Sequence, residues 1–189
     1  DCSTFQAPVV NIPDANFKSV LLADSNINTN GDDEIQISEA INYSGEVDCR
    51  DKSIKDLTGV EEFVNLSLLD CSNNEVESIN VSMLKKLEGL YAANNQLTSL
   101  DLRNGNNYNF SGVDFIDNPN LRCIQVDDKD FSNDVWYSLK DSTAFYSENC
   151  SADPENIVYI PDENFKSFLL NNNSINTNGD NEIQYTEAI

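Results

Sequence analysis

Apolar positions recur along this chain every 21 or 22 residues. Leu69, Cys71, Asn74, Val76, Ile79 and Val81 are followed by Leu90, Ala92, Asn95, Leu97, Leu100 and Leu102, each 21 residues further on. Val47, Cys49, Ile54 and Leu57 hold the corresponding places 22 residues upstream, and Phe110, Val113, Phe115 and Asn118 continue the series more loosely downstream. Alternating apolar residues at the start of each repeat predict a short strand with one inward face. An asparagine then marks a bend, and a return segment brings its own apolar residues. No single repeat can bury both sets, so neighbouring repeats must stack into a solenoid. Asn74, Asn95 and Asn118 stay in register with the apolar positions. They should therefore turn inward and bond the backbone groups left free at each bend.

This is the leucine-rich-repeat pattern, and the predicted fold class is an α/β solenoid, a short leucine-rich repeat with parallel strands. Four strands leave two open ends that need covers. At the far end, Phe131, Trp136, Phe145 and Tyr146 supply the aromatic surface for a cap, and Leu121, Ile124 and Val126 are expected to add a last strand. At the near end, Pro13-Asp14 starts a helix with Asp14 as N-cap, and Phe17, Val20 and Leu21 form its apolar stripe.

A longer repeat encloses the shorter one. Residues 11–41 align with residues 159–189 at a constant offset of 148 and are identical at 21 of 31 positions. Cys2 matches Cys150 at the same offset. The chain therefore divides into the tail of a preceding unit (1–10), an N-terminal cap (11–43), the repeats (44–120), a C-terminal cap (121–150), a linker (151–158) and the head of a next unit (159–189). The N-terminal residues lack the basic and apolar regions of a secretory signal, so the chain reads as a mature protein or an excised piece of one.

Charge narrows the partners. Thirty-three acids against eleven bases give a net charge of -22, which argues against nucleic acid or an anionic membrane surface. No apolar run is long enough to insert into a bilayer. Histidine is missing from the sequence, which removes imidazole-dependent nucleophiles and the usual general base, so no enzymatic role is expected. Five cysteines is an odd count. Cys49 and Cys71 share one repeat position and read as small buried hydrophobes, since a disulfide between adjacent parallel strands is geometrically awkward. Cys123 and Cys150 flank the far cap. A bridge there would contribute roughly 3 kcal/mol and imply an oxidising, extracytoplasmic setting.

The segment present twice carries candidate metal ligands. Residues 28–39 place Asn28, Asn30 and Asp32 at loop positions 1, 3 and 5, Glu34 at position 7, Ile35 at position 8 and Glu39 at position 12. The second copy repeats this with Asn176, Asn178, Asp180, Glu182, Ile183 and Glu187. The pattern resembles the EF-hand calcium loop, with asparagine at position 1 in place of the family's aspartate and Asp33 or Asn181 at position 6 in place of glycine. The resemblance implies Ca²⁺ bound by both loops, with the modest affinity of extracellular sites, and a solenoid flanked by EF-hand-like helix–loop segments.

Taken together, "IPDANFKSVLL…INTNGDDEIQISEA", "LLDCSNN", "NNQLTSLDL" and "NPNLRCIQVDD" resemble the secreted leucine-rich-repeat surface proteins of Bacteroidetes and flavobacteria. That resemblance implies an extracellular or cell-surface location and a role in adhesion or recognition within a tandem array of such units. Partners of a solenoid are met on the concave strand face. Its outward positions are Asp48, Arg50, Leu68, Asp70, Ser72, Tyr91, Ala93, Asp114 and Ile116. A small acidic face suits protein recognition, and the alternative is a glycan-binding accessory module of a polysaccharide-degrading or uptake system, for which Tyr91 is the one aromatic platform.

Overall fold

A computed structural model describes residues 7–151, 158, 160, 162–177, 183 and 187. These fall into two units, divided between Glu148 and Asn149. Cys2 and the candidate ligands Asn178, Asp180 and Glu182 lie outside the described residues.

The first unit opens with helix α1 (Ala15–Ala23), the loop with its candidate ligands, and helix α2 (Ile37–Asn42). Repeats follow, each contributing strands of three residues. Strands β1 (Glu46–Asp48), β2 (Leu68–Asp70), β4 (Gly89–Tyr91) and β6 (Gly112–Asp114) form one parallel sheet in that order. Its register sets Val47 beside Leu69, Leu69 beside Leu90 and Leu90 beside Val113. All four point inward and are buried.

The return segments form a second parallel sheet of β3 (Ser78–Asn80), β5 (Ser99–Asp101), β7 (Cys123–Gln125) and β8 (Phe145–Ser147). This corrects the expected last strand. Ile124 is the inward residue of β7, which pairs with β5 as a return strand, and β8 then extends the same sheet beyond it. The two sheets enclose one apolar core running from Val10 to Tyr146.

The bends explain why the strands stay so short. Asp51, Asn73, Asn94 and Asp117, at equivalent places in the repeats, and Ser53 in the first of them adopt left-handed backbone with φ between 55° and 58°, a conformation that asparagine and aspartate tolerate better than most residues. The following asparagine of three repeats turns inward. Asn95 donates to the carbonyls of Cys71 (3.0 Å) and Ala92 (3.2 Å) and accepts from Val76 N (2.9 Å). Asn74 bridges Cys49 O, Cys71 O and Ile54 N. Asn118 bridges Ala92 O, Phe115 O and Leu97 N. Each joins its own turn to the one before it, so these buried amides are a ladder of mutual satisfaction rather than isolated polar groups.

Both ends of the stack are closed. At the far end, helix α3 (Lys129–Val135) leads to a buried Trp136, packed among Phe110, Phe131 and Tyr146 at ring separations of 5.6 to 6.1 Å. At the near end, α1 lies against the first turn. Its Phe17 and Leu21 are fully buried, and the N-cap Asp14 accepts from Asn16 N and Phe17 N with one oxygen and from Lys55 N (2.8 Å) and Asp56 N (3.3 Å) with the other. Gly59, at φ 103°, approaches the chain so closely that a Cβ there would meet Asn11 O at 2.8 Å. Helix α2 starts after Gln36, which is its N-cap and forms a capping box with Glu39.

In the second unit, helix α4 (Glu163–Leu170) repeats α1 with Asp162 as N-cap.

Candidate functional site

Two places in the molecule gather chemistry. One is the outer face of the first sheet. Alternation along each strand sends Glu46 and Asp48, Leu68 and Asp70, Gly89 and Tyr91, and Gly112 and Asp114 away from the core. Parallel register aligns them into two cross-strand rows, Glu46–Leu68–Gly89–Gly112 and Asp48–Asp70–Tyr91–Asp114. The glycines shape the first row. The side chain of Leu68 covers Gly89, where a Cβ would come within 3.2 Å of its Cδ1, and the tip of Tyr91 rests on Gly112, where a Cβ would come within 2.1 Å of the hydroxyl. Two missing side chains thus let an aliphatic and an aromatic group lie across the sheet. Gly112 was not readable as part of this face from the apolar register, because a glycine carries no pattern of its own.

The second row is acidic with a resident cation. Arg50 clamps Asp48 through Nε (2.9 Å) and Nη2 (2.6 Å) and reaches Asp70 at 3.4 Å. These bonds hold the Asp48 carboxyl below its usual range and push the guanidinium further up. Tyr91 sits between Asp70 and Asp114 in the same row. Asp114 accepts from Ile116 N (3.2 Å), and Ile116 is exposed at the edge of the face. Beneath it, Cys49 and Cys71 are buried free thiols; burial pushes the Cys49 thiol up to about 12, with the Asp70 and Asp48 charges adding to the effect. Cys123 and Cys150 are both disulfide-bonded.

The second place is the loop at 28–39. Its side chains fold inward as a ladder of local turns. Asn28 Oδ1 accepts from Gly31 N (3.0 Å), Asn30 Oδ1 from Asp32 N (2.9 Å) and Asp32 Oδ1 from Glu34 N (2.8 Å). Asp32 Oδ2 accepts from the amides of Asn30 (2.8 Å) and Gln36 (2.9 Å). Glu39, buried, closes the loop: Oε1 accepts from Thr29 N (2.7 Å), Thr29 Oγ1 (2.8 Å) and Asn30 N (3.2 Å), and Oε2 from Gln36 N (3.0 Å). Backbone donation from Glu34, with smaller help from Asn30, Gln36 and Lys18, lowers the Asp32 carboxyl. Burial raises the Glu39 carboxyl, but the bonds from Gln36, Thr29 and Asn30 outweigh it and leave it below its usual range. The side chain of Glu34 pairs with Lys18 at 2.8 Å, which leaves its carbonyl as the group available at loop position 7.

As a cation site this donor set fits by chemistry, with one reservation of geometry. Asn28 and Asn30 each retain a second lone pair on their carbonyl oxygen. Glu39 Oε2 has room as well, whereas Oε1 already takes three donors. A bidentate Glu39 would have to release Thr29 and Asn30. Gln36 and Thr29, absent from the ligand template, are central to the loop as it stands, and the capping-box spacing to Glu39 is the signal that could have shown Gln36. In the second copy the same latch recurs, with Glu187 Oε1 accepting from Thr177 N (2.8 Å) and Oγ1 (3.1 Å) and Asn176 donating to Leu170 O (3.1 Å). Among the described residues no three side chains of the acid, cysteine or histidine type group together as a metal cluster, and no helix is long and apolar enough to cross a membrane.

No protein-family model matches the chain, and no curated protein matches it. Among solved structures it is similar to the CBM51-2 and INT domains of ZmpB from Clostridium perfringens, with 28% identity over 51% of this chain and 20% of that chain and a TM-score of 0.39. It is also similar to the functional domain of InlJ from Listeria monocytogenes, which includes a cysteine ladder (20% identity, 64% of this chain and 34% of that chain, TM-score 0.44). A Listeria monocytogenes internalin, InlF, matches at 11% identity over 68% of this chain and 55% of that chain, with a TM-score of 0.37. The chain thus spans a fifth of the ZmpB structure and about a third of the InlJ structure.

Proposed function

We propose that this chain is a non-catalytic recognition module of an extracellular or cell-surface protein, serving adhesion by binding a basic protein partner on the outer face of its first sheet. The observation that carries this reading is the row Asp48–Asp70–Tyr91–Asp114, in which an aromatic ring seated on Gly112 lies between two carboxylates. Such a row suits a lysine or arginine side chain, through ion pairing and a cation–π contact. Arg50 already sits against Asp48 and Asp70 in that manner, and a net charge of -22 would steer a cationic partner toward it. Binding of lysine- and arginine-rich peptides should fall with added salt and fall further in Asp70→Asn/Asp114→Asn and in Tyr91→Ala. Peptide binding that ignores both substitutions would end this reading.

A glycan reading is favoured by the same tyrosine, because an aromatic ring flanked by carboxylates also suits a sugar face and its hydroxyls. Glycan-array signals abolished by Tyr91→Ala and unaffected by salt would select it.

The proposal extends to calcium. Asn28, Asn30, Asp32, the Glu34 carbonyl and Glu39 would hold Ca²⁺ in the first copy, and Asn176, Asn178, Asp180, Glu182 and Glu187 in the second. The ion would cross-link the loop and stiffen the near-end cap. Calorimetric titration with calcium, in the parent chain and in Asp32→Ala, tests the first site directly, and absence of heat in the parent removes calcium from the account.

A further inference from the structure

The two copies of the cap segment share their internal bonding but not their burial. Val10 N bonds Ile35 O at 2.8 Å and Val158 N bonds Ile183 O at 2.7 Å, 148 residues on. Asn28 N reaches Asp24 O and Asn176 N reaches Asn172 O, both at 2.8 Å. Ile35 and Ile183 are both buried. The helix faces differ. Phe17 is 0% exposed and its counterpart Phe165 is 55% exposed; Val20 is half-buried and its counterpart Phe168 is 66% exposed. Leu21 is fully buried whereas Leu169 is only half-buried, lining a hollow of about 330 Å³ with Val158, Ile160, Phe165 and Ile175.

What covers the first copy is on view within the same chain. The first solenoid turn supplies Ser53 O to Asn16 Nδ2 (3.1 Å), Lys55 N and Asp56 N to Asp14, and the glycine at 59 against Val10 and Ile12. The second copy carries the same residue types at these points: Asp162, Asn164, Val158 and Ile160. Asp162 spends one bond on the Phe165 N–H as N-cap, and its remaining capacity matches the two backbone donors that Asp14 receives from the solenoid.

We infer that helix α4 with its cap Asp162 and the neighbouring Val158 and Ile160 presents a docking face for the first turn of another leucine-rich-repeat solenoid, a second copy of the turn at 44–66. The argument is continuity with an interface already formed in this molecule: the apolar residues, the cap carboxylate and the helix asparagine all recur, and only the solenoid turn is lacking. Phenylalanine at 168, where the first copy has valine, enlarges the apolar surface to be covered. The inference stands apart from whatever ligand the strand face takes.

The test is a tandem chain in which residues 42–151 follow Ile189 directly, reproducing the spacing after Ile41. In this tandem, hydroxyl-radical labelling of Phe165 and Phe168 should drop several-fold relative to the original chain. Phe165→Asp should lower one calorimetric transition of the tandem by about 10 °C, as Phe17→Asp should for the first solenoid, while Phe165→Leu should be tolerated. In the original chain Phe165→Asp should leave the melt in place. Unchanged labelling in the tandem overturns the inference. So does self-association of the original chain that Phe165→Asp abolishes, since the face would then belong to a contact between like copies.

Discussion

Residues 11–41 and 159–189 are the same sentence written twice, yet one copy is part of a core and the other is mostly rind. In the first, Asp14 receives four backbone N–H groups, two of them from a turn some forty residues away. In the second, Asp162 caps its own helix. Among the described residues, the helix cap, the backbone turn at Asn28 and at Asn176 and the glutamate latch to threonine are common to both. The difference teaches that the segment forms its helix cap and its glutamate latch by itself but acquires its burial from a solenoid end. That is the behaviour of a cap.

The largest effect that could break this comparison comes from truncating the shared phenylalanine. Phe17→Ala should cost about 3–5 kcal/mol, because it leaves a cavity against the first turn, whereas Phe165→Ala should stay within about 0.5 kcal/mol. Equal costs in denaturant melts would mean that the exposure of α4 is filled in solution. Calcium comes next. At a free concentration 100 times the dissociation constant, one loop site adds roughly 2.7 kcal/mol. Melts in millimolar calcium and in chelator should therefore separate, and Asp32→Ala should remove the first copy's share. Superimposable curves would leave the hydrogen-bonded latch as the whole function of the loop.

Smaller still is the cap itself. Asp14→Ala should cost about 1–2 kcal/mol, and Asp162→Ala less, since only one bond is lost. Acid offers an independent check on this pair. Burial raises the Asp14 carboxyl, but the N–H groups of Lys55, Phe17, Asp56 and Asn16 outweigh that and hold it low. A depressed folded pKa contributes stability above the unfolded value, and the contribution is lost as pH falls through the folded one. The gap between the parent and Asp14→Ala should hence close below the ordinary carboxylate range. A gap that persists in acid would assign the effect to packing. The smallest change is Tyr91→Ala, which removes an outward ring and should move stability by about 0.5 kcal/mol at most while abolishing partner binding.

Much of the first unit was legible in the residues. The inward positions of the first sheet, the asparagine ladder, the Asp14 cap and the free, buried Cys49 and Cys71 all follow from a period of 21 or 22 with conserved chemical type inside one chain. The second sheet was not legible. Its strands, such as Ser78–Asn80 and Ser99–Asp101, hold three residues each with one or two buried, too few to distinguish a strand from any extended return segment. Pairing arises only when successive turns stack at strand spacing. The strand expected around Ile124 is present but is not the last, since period alone does not say which of two sheets an apolar residue joins or what pairs beyond it. At the loop, oxygen-bearing residues were visible by spacing, but Gln36 and Thr29 were missed because a ligand template counts positions and not donors.

The sequence by itself determined the repeat, the inward residues, the turn chemistry and the helix cap, because each depends on neighbours within about one turn of chain or on exact repetition. Tertiary structure decided what repetition cannot: which copy of a repeated helix is buried, which strands pair across the return side, and where Tyr91 comes to rest. Burial is a property of what lies opposite a residue. Phe17 and Phe165 share their local sequence and differ only in having a solenoid turn against them.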